Sequence, residues 1–207
     1  MLNKTKSFIE IFIIIVLFIF FSYIIQTNLE LIKESLDDNL GMTVYVLITV
    51  AAIVIAPIST LPLLPIASNL WGWVTAAILS IIGWTIGSLI AFALARKYGV
   101  SLISKFISIE KINKFERMVP KENFFWSVVF LRMAIPVDIL SYALGLFSKI
   151  KTKSYFFVTL IGVTPFAFVF AYAGKMPFVY QILALLLAWV IILFGLMIRR
   201  IRLGSQN

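Results

Sequence analysis

Apolar residues fill this chain in long blocks, and charged residues are concentrated in the segments between them. The first block, Phe8 to Ile25, follows Lys4 and Lys6 and is long enough to cross a bilayer as a helix. No small-x-small cleavage site follows it in Ile24-Ile25-Gln26-Thr27-Asn28, so it reads as a retained span with a cytoplasmic N-terminus rather than a signal peptide. Thr27 to Gly41 then carries Glu30, Glu34, Asp37 and Asp38 against Lys33 and reads as external.

Met42 to Ala95 holds no charged residue. Near its middle, Pro57, Pro62 and Pro65 break any regular helix, because each removes an amide donor and clashes with the preceding turn. Arg96 to Glu122 follows with seven basic residues against three acids, which places it in the cytoplasm by the positive-inside bias. A run that starts outside and ends inside crosses an odd number of times. Its 54 residues are too few for three crossings at about 20 residues each and too many for one. The economical solution for residues 42–95 is a re-entrant hairpin broken at the prolines, then one span from about Trp71 to Ala95.

The same reasoning applies to residues 123–174. Asn123 to Ser148 is apolar except for Arg132 and Asp138, and Lys121 precedes it while Lys149, Lys151 and Lys153 follow. Both ends are therefore cytoplasmic, and 26 residues are too few for two spans. A second hairpin with Pro136 near its tip fits, and Ser154 to Gly174 crosses outward. After the short turn Lys175-Met176-Pro177, residues 178–198 return and end at Arg199, Arg200 and Arg202. On this scheme 15 of the 18 basic residues lie inside, two lie outside (Lys33 and Lys175), and Arg132 lies within the membrane. Between the two units, residues 100–119 place Ile103, Phe106, Phe115 and Met118 in helical rhythm among lysines, as in an amphipathic helix on the cytoplasmic surface.

A shift of 75 residues aligns Ile86 with Ile161, Gly87 with Gly162 and Gly99 with Gly174. The two units also enter from opposite sides, which is the inverted repeat of many secondary transporters. The expected architecture is an all-α integral membrane protein, one polytopic domain over residues 1–207. It has about four full spans plus two opposed re-entrant helical hairpins, with both termini cytoplasmic. Non-helical backbone at membrane depth must be buried in protein or line a wet cavity, since lipid satisfies no amide.

Composition agrees and narrows the chemistry. Of the 207 residues, 62% are hydrophobic and 13% charged, far from a soluble domain. The net charge of +9 belongs to topology and anionic lipid rather than to nucleic acid. There is no Cys and no His, which excludes disulfides, thiolate metal sites, His-based triads and histidine phosphoryl transfer. No enzyme site and no cofactor or metal site is expected.

The candidate chemistry lies in the second hairpin. An intramembrane Arg costs roughly 2.5–3.5 kcal/mol on insertion scales, and Asp about the same, so such groups persist when paired or when they face a polar path. Arg132 and Asp138 flank Pro136, and a turn there could join them as a structural ion pair. Alternatively Arg132 receives a phosphate in fork geometry, while Asp138 orients it or exchanges a proton. Ser141 and Tyr142 complete the candidate substrate-binding set. Gly145, Gly162 and Pro165 are candidate structural positions in the same unit. In the first hairpin, Ser59, Thr60, Ser68 and Asn69 either bond a head group or satisfy broken backbone. Gly83-x-x-x-Gly87 predicts close helix packing.

The run Arg132-x-x-x-Pro136-x-Asp138-x-x-Ser141-Tyr142-Ala143-x-Gly145, with Gly162 and Tyr172-Ala173-Gly174, resembles the DedA / SNARE-associated Golgi protein superfamily of VTT-domain proteins, and most of all its Tvp-like branch. The resemblance covers Pro57 to Gly174. It implies two opposed hairpins around a lipid-accessible cavity, lipid movement between leaflets, and a functional hairpin arginine at Arg132. DedA proteins carry acidic residues in the first hairpin, and here there are none. That departure speaks against proton coupling and leaves passive scrambling or another lipid substrate open. The expected function is transport or scrambling of a phosphate-bearing lipid, either a phospholipid or a polyprenyl phosphate. The alternatives are a proton-coupled carrier of a small anion and a non-transporting assembly factor. The expected partners are membrane lipids, with a homo-oligomer left open, and the expected location is a prokaryotic plasma membrane.

Overall fold

The computed structural model describes the backbone of residues 2–35, 38–55, 59–103, 124–134, 137–184 and 186–187, and the side chains of 12–33, 38–55, 59–99, 125–132, 140–184 and 186–187. All secondary structure among the described residues is helical. Helix α1 is Leu2–Thr27, α2 Leu29–Ser35 and α3 Asp38–Ile55. A 3-10 turn at Leu61–Leu63 leads into α4, Leu64–Trp71, and α5 is Trp73–Ile103. Then come α6, Phe124–Ala134, α7, Val137–Phe147, and α8, Thr152–Lys175. Among the described residues, three helices are long and apolar enough to cross a membrane: Asp38–Ile55, Trp73–Gly99 and Thr152–Lys175, while Phe12–Thr27 is a shorter apolar helix.

Among the described residues each unit has two helices followed by a long one. In the first, α3 ends at Ile55, and the 3-10 turn, where Pro62 is buried, leads into α4, with Pro65 in its first turn. In the second, α6 and α7 have 11 residues each, too short to cross a bilayer singly. The expected tips at Pro57 and Pro136 lie outside the described residues, as do the surface helix beyond residue 103 and the last span beyond residue 187. Length alone does not mark α3 as a hairpin arm, since its 18 residues could span.

Gly72 joins α4 to α5 at φ 84 and ψ 151, a conformation open to glycine but not to an L side chain, so the chain turns without an intervening loop. Gly99 interrupts the end of α5 in the same way, at φ 67 and ψ −163, just after Arg96 and Lys97.

The units interlock. The first arm of each pair packs on the long helix that follows it, α3 on α5 and α6 on α8. The second arm packs on the long helix of the other unit, α7 on α5 and α4 on α8, and the two long helices pack on each other. Helix α1 lies over the 3-10 turn and α4. Along α5, Ile78, Ile82, Ile86 and Ile90 face outward, while Ala76, Ala77, Ser80, Ser88, Ala91 and Ala95 are buried. Apart from Trp84 and Phe92, the inward face is mostly small, so backbones approach closely; without water to drive helices together, that packing is what holds them.

Glycines stand at these crossings. A Cβ on Gly83 would lie 2.8 Å from Thr49 Cγ2, and one on Gly87 3.0 Å from Ile53 Cβ, so the GxxxG stripe seats α3. A Cβ on Gly145 would meet the Phe92 carbonyl oxygen at 2.5 Å, and one on Gly174 the Pro65 Cα at 2.9 Å. Pro165 sits within α8 with its ring exposed, away from the crossings.

Candidate functional site

Arg132 occupies the last turn of α6, where the helix packs against α8. It is 3% exposed, in a part of the molecule whose other buried residues are Phe92, Val128, Val129, Leu140, Leu144 and Val158. The guanidinium reaches this position because α8 offers Gly162 below it: a Cβ there would lie 3.0 Å from Arg132 Cβ and 3.3 Å from Cδ.

One nitrogen is held. Nη2 donates to the Tyr155 hydroxyl at 2.6 Å and to Ser141 Oγ at 3.4 Å. The Tyr155 hydroxyl in turn donates to the Ser88 carbonyl at 3.1 Å, which ties α6 to α5 through α8. Tyr155 is fully buried and stacks on Phe92 with centroids 3.9 Å apart and planes 17° apart. The guanidinium carbon also lies 5.1 Å from the Tyr155 ring centroid, within cation–π range. Nε and Nη1 have no hydrogen-bond partner among the described residues, and neither does the buried Ser88 hydroxyl. An arginine cannot shed its proton to escape burial. Open guanidinium N–H groups have the geometry that an oxyanion's paired oxygens match.

The other expected residues separate into groups. Ser141 is fully buried and touches Arg132. Tyr142 is buried one position on, and its hydroxyl donates to the Val54 carbonyl in the last turn of α3, joining the two units. Asp138 lies in the first turn of α7, with its side chain outside the described residues; Pro136 is outside them altogether.

Several polar groups of the first unit bond within the protein. Trp84 Nε1 donates to Thr60 Oγ1 at 2.9 Å. Asn69 Nδ2 donates to the Pro65 carbonyl at 2.8 Å and to the Gly174 carbonyl at 2.9 Å, fastening α4 to the end of α8. The Tyr45 hydroxyl and Ser80 Oγ share a bond of 2.7 Å. Ser59 Oγ accepts from the Leu61 amide at 3.4 Å. Ser68 Oγ has no partner among the described residues.

Sequence reasoning missed Tyr155, Ser88 and Phe92. In Ser154-Tyr155-Phe156-Phe157 the tyrosine looks like any interfacial aromatic. Only the packing of α8 on α5 and α6 shows that it faces inward.

The family model of the VTT domain matches residues 45–176, from within α3 to the end of α8, and so includes both interlocked units. The chain belongs to the VTT-domain family, that of the DedA and SNARE-associated Golgi proteins. No curated protein and no solved structure matches it. The chain is thus a membrane-embedded protein of the DedA type, helical in all the described secondary structure, whose domain suggests a role in transport or elsewhere in the membrane.

Proposed function

We propose that this VTT-domain protein moves a phosphate-bearing lipid between leaflets and that Arg132 receives the phosphate. The observation that carries this reading is a buried guanidinium whose Nε and Nη1 have no partner among the described residues, while Nη2 is fixed by Tyr155 and Ser141. A fixed guanidinium binds a phosphate oxygen at little further cost in side-chain ordering. The lipid tails stay in the bilayer while the head group passes along the polar elbow. In this reading both broken helix pairs are re-entrant hairpins entering from opposite faces, both termini are cytoplasmic, and the host is a prokaryotic plasma membrane. The interlocked packing supports it, because each second arm lies on the long helix of the other unit. The site performs binding and passage with no bond-breaking step.

Purified protein in liposomes tests the reading, wild type beside Arg132→Ala. The readout is the fraction of a head-group-labelled phospholipid, or of an undecaprenyl phosphate probe, that reaches the opposite leaflet. Faster movement with wild type, lost in the variant, supports lipid transport through Arg132. Equal rates for wild type, variant and empty liposomes with both probes reject it. Competition by soluble phosphate compounds would instead indicate a carrier of small anions.

A further inference from the structure

A second feature lies where α5 and α8 meet, and its lining does not include Arg132. Leu89 of α5 and Thr152, Lys153, Phe156 and Phe157 of α8 line an open groove of about 460 Å³. Leu89 and the two phenylalanines supply apolar walls, and Lys153 is an exposed residue of the lining; lysines at a bilayer interface commonly lay the stem on apolar surface and keep the charge in water. Phe157 is 53% exposed, whereas neighbouring Tyr155 and Val158 are fully buried, so the groove opens outward.

The end of the groove is basic. Lys149, Lys151 and Lys153 are all exposed. Arg96 Nη1 and Nη2 donate to the Ile150 and Ser148 carbonyls, each at 2.7 Å, which brings the end of α5, with Arg96 and Lys97, against the start of α8. Among the described residues no carboxylate shares this end; Asp38 bonds Trp71 Nε1 before the start of α5. The N-cap of α8 is Lys151, and no side chain caps that first turn. Leading amides without a cap favour an anion.

We propose that this groove binds an anionic phospholipid, with an acyl chain against Leu89, Phe156 and Phe157 and the phosphate between Lys151, Lys153 and the first turn of α8. Carbon walls beneath a cationic rim match such a lipid, whereas a zwitterionic lipid loses the charge match. The site is independent of transport through Arg132, and its test separates the two.

The chain contains no cysteine, so Ile161→Cys carries a single bimane label one turn beyond Phe157 on the same exposed face. The labelled protein is placed in phosphatidylcholine bilayers in which a minor fraction of the lipid is tail-brominated phosphatidylglycerol or tail-brominated phosphatidylcholine. Brominated phosphatidylglycerol quenches at the lower mole fraction. Lys151→Gln with Lys153→Gln reduces that preference about fivefold or more, and Lys153→Arg preserves it. Leu89→Trp fills the groove and removes the preference from protein that still elutes as a single folded species. Arg132→Ala leaves the preference intact even where it abolishes transport. Equal quenching by the two lipids overturns the proposal, as does a preference that survives loss of both lysines.

Discussion

The two helix–break–helix units share a plan but fill their elbows differently. In each, a long helix offers a glycine to the first arm of its own unit, Gly87 to Ile53 and Gly162 to Arg132. Ile86 and Ile161, each just before that glycine, are both 42% exposed. The first elbow is closed by neutral hydrogen bonds, Trp84 to Thr60 and Asn69 to the Pro65 and Gly174 carbonyls. The second buries a cation with open donors. The first unit also buries three hydroxyls without a partner among the described residues, Ser68, Thr85 and Ser88, so the contrast lies in charge rather than in unmet groups alone. In a low-dielectric interior a cation with open donors is costlier to leave unmet than a neutral hydroxyl.

The largest effect expected from breaking this contrast is on Arg132. Arg132→Ala lowers lipid translocation about ten- to hundredfold, the value of a hydrogen bond to a charged group, while folded protein is still recovered. Arg132→Lys restores little, because an ammonium offers no planar fork. The measurement is leaflet exchange in liposomes.

Next comes the crossing between units. Gly145→Val drives a side chain into the Phe92 carbonyl and Ala95, whose Cβ lies 2.7 Å from the position a Cβ would take. Overpacking of this kind costs about 1–3 kcal/mol, seen as a lower unfolding midpoint in detergent. Asn69→Ala strips a buried donor from two carbonyls and destabilises by about 1–3 kcal/mol in the same assay.

The finest comparison sets one hydroxyl or ring nitrogen against another. Tyr155→Phe removes the group that fixes Arg132 Nη2, and Trp84→Phe removes the bond to Thr60; each costs roughly 1 kcal/mol of stability. Only Tyr155→Phe should slow translocation beyond what its stability loss explains. Equal translocation by the two variants would erase the functional difference between the elbows.

Much of this was legible along the chain because bilayer solvation imposes simple rules. Uncharged blocks long enough to span had to be helices, and Pro62 and Pro65 had to interrupt them. Arg132 stood out because a charge in an apolar block needs a reason. The 75-residue offset placed Gly87 and Gly162 in equivalent positions, and both proved to be crossing points. Other roles were hidden. Tyr142, read as a neighbour of Arg132 in a binding set, reaches the Val54 carbonyl of the other unit. Asn69, read as a head-group contact or a local backbone bond, also fastens α4 to Gly174, 105 residues away.

Taken alone, the order of residues determined that the described elements are helical, that the chain belongs in a membrane, and which single arginine lies among apolar neighbours. Those properties follow from local hydrophobicity and local backbone geometry, which each segment carries by itself. Which face of each helix turns inward, and therefore that Tyr155 rather than Tyr142 holds Arg132, was decided only when α5, α6, α7 and α8 packed together. A hydrogen bond between distant helices depends on their rotation and crossing, and those are set by many small side-chain contacts at once.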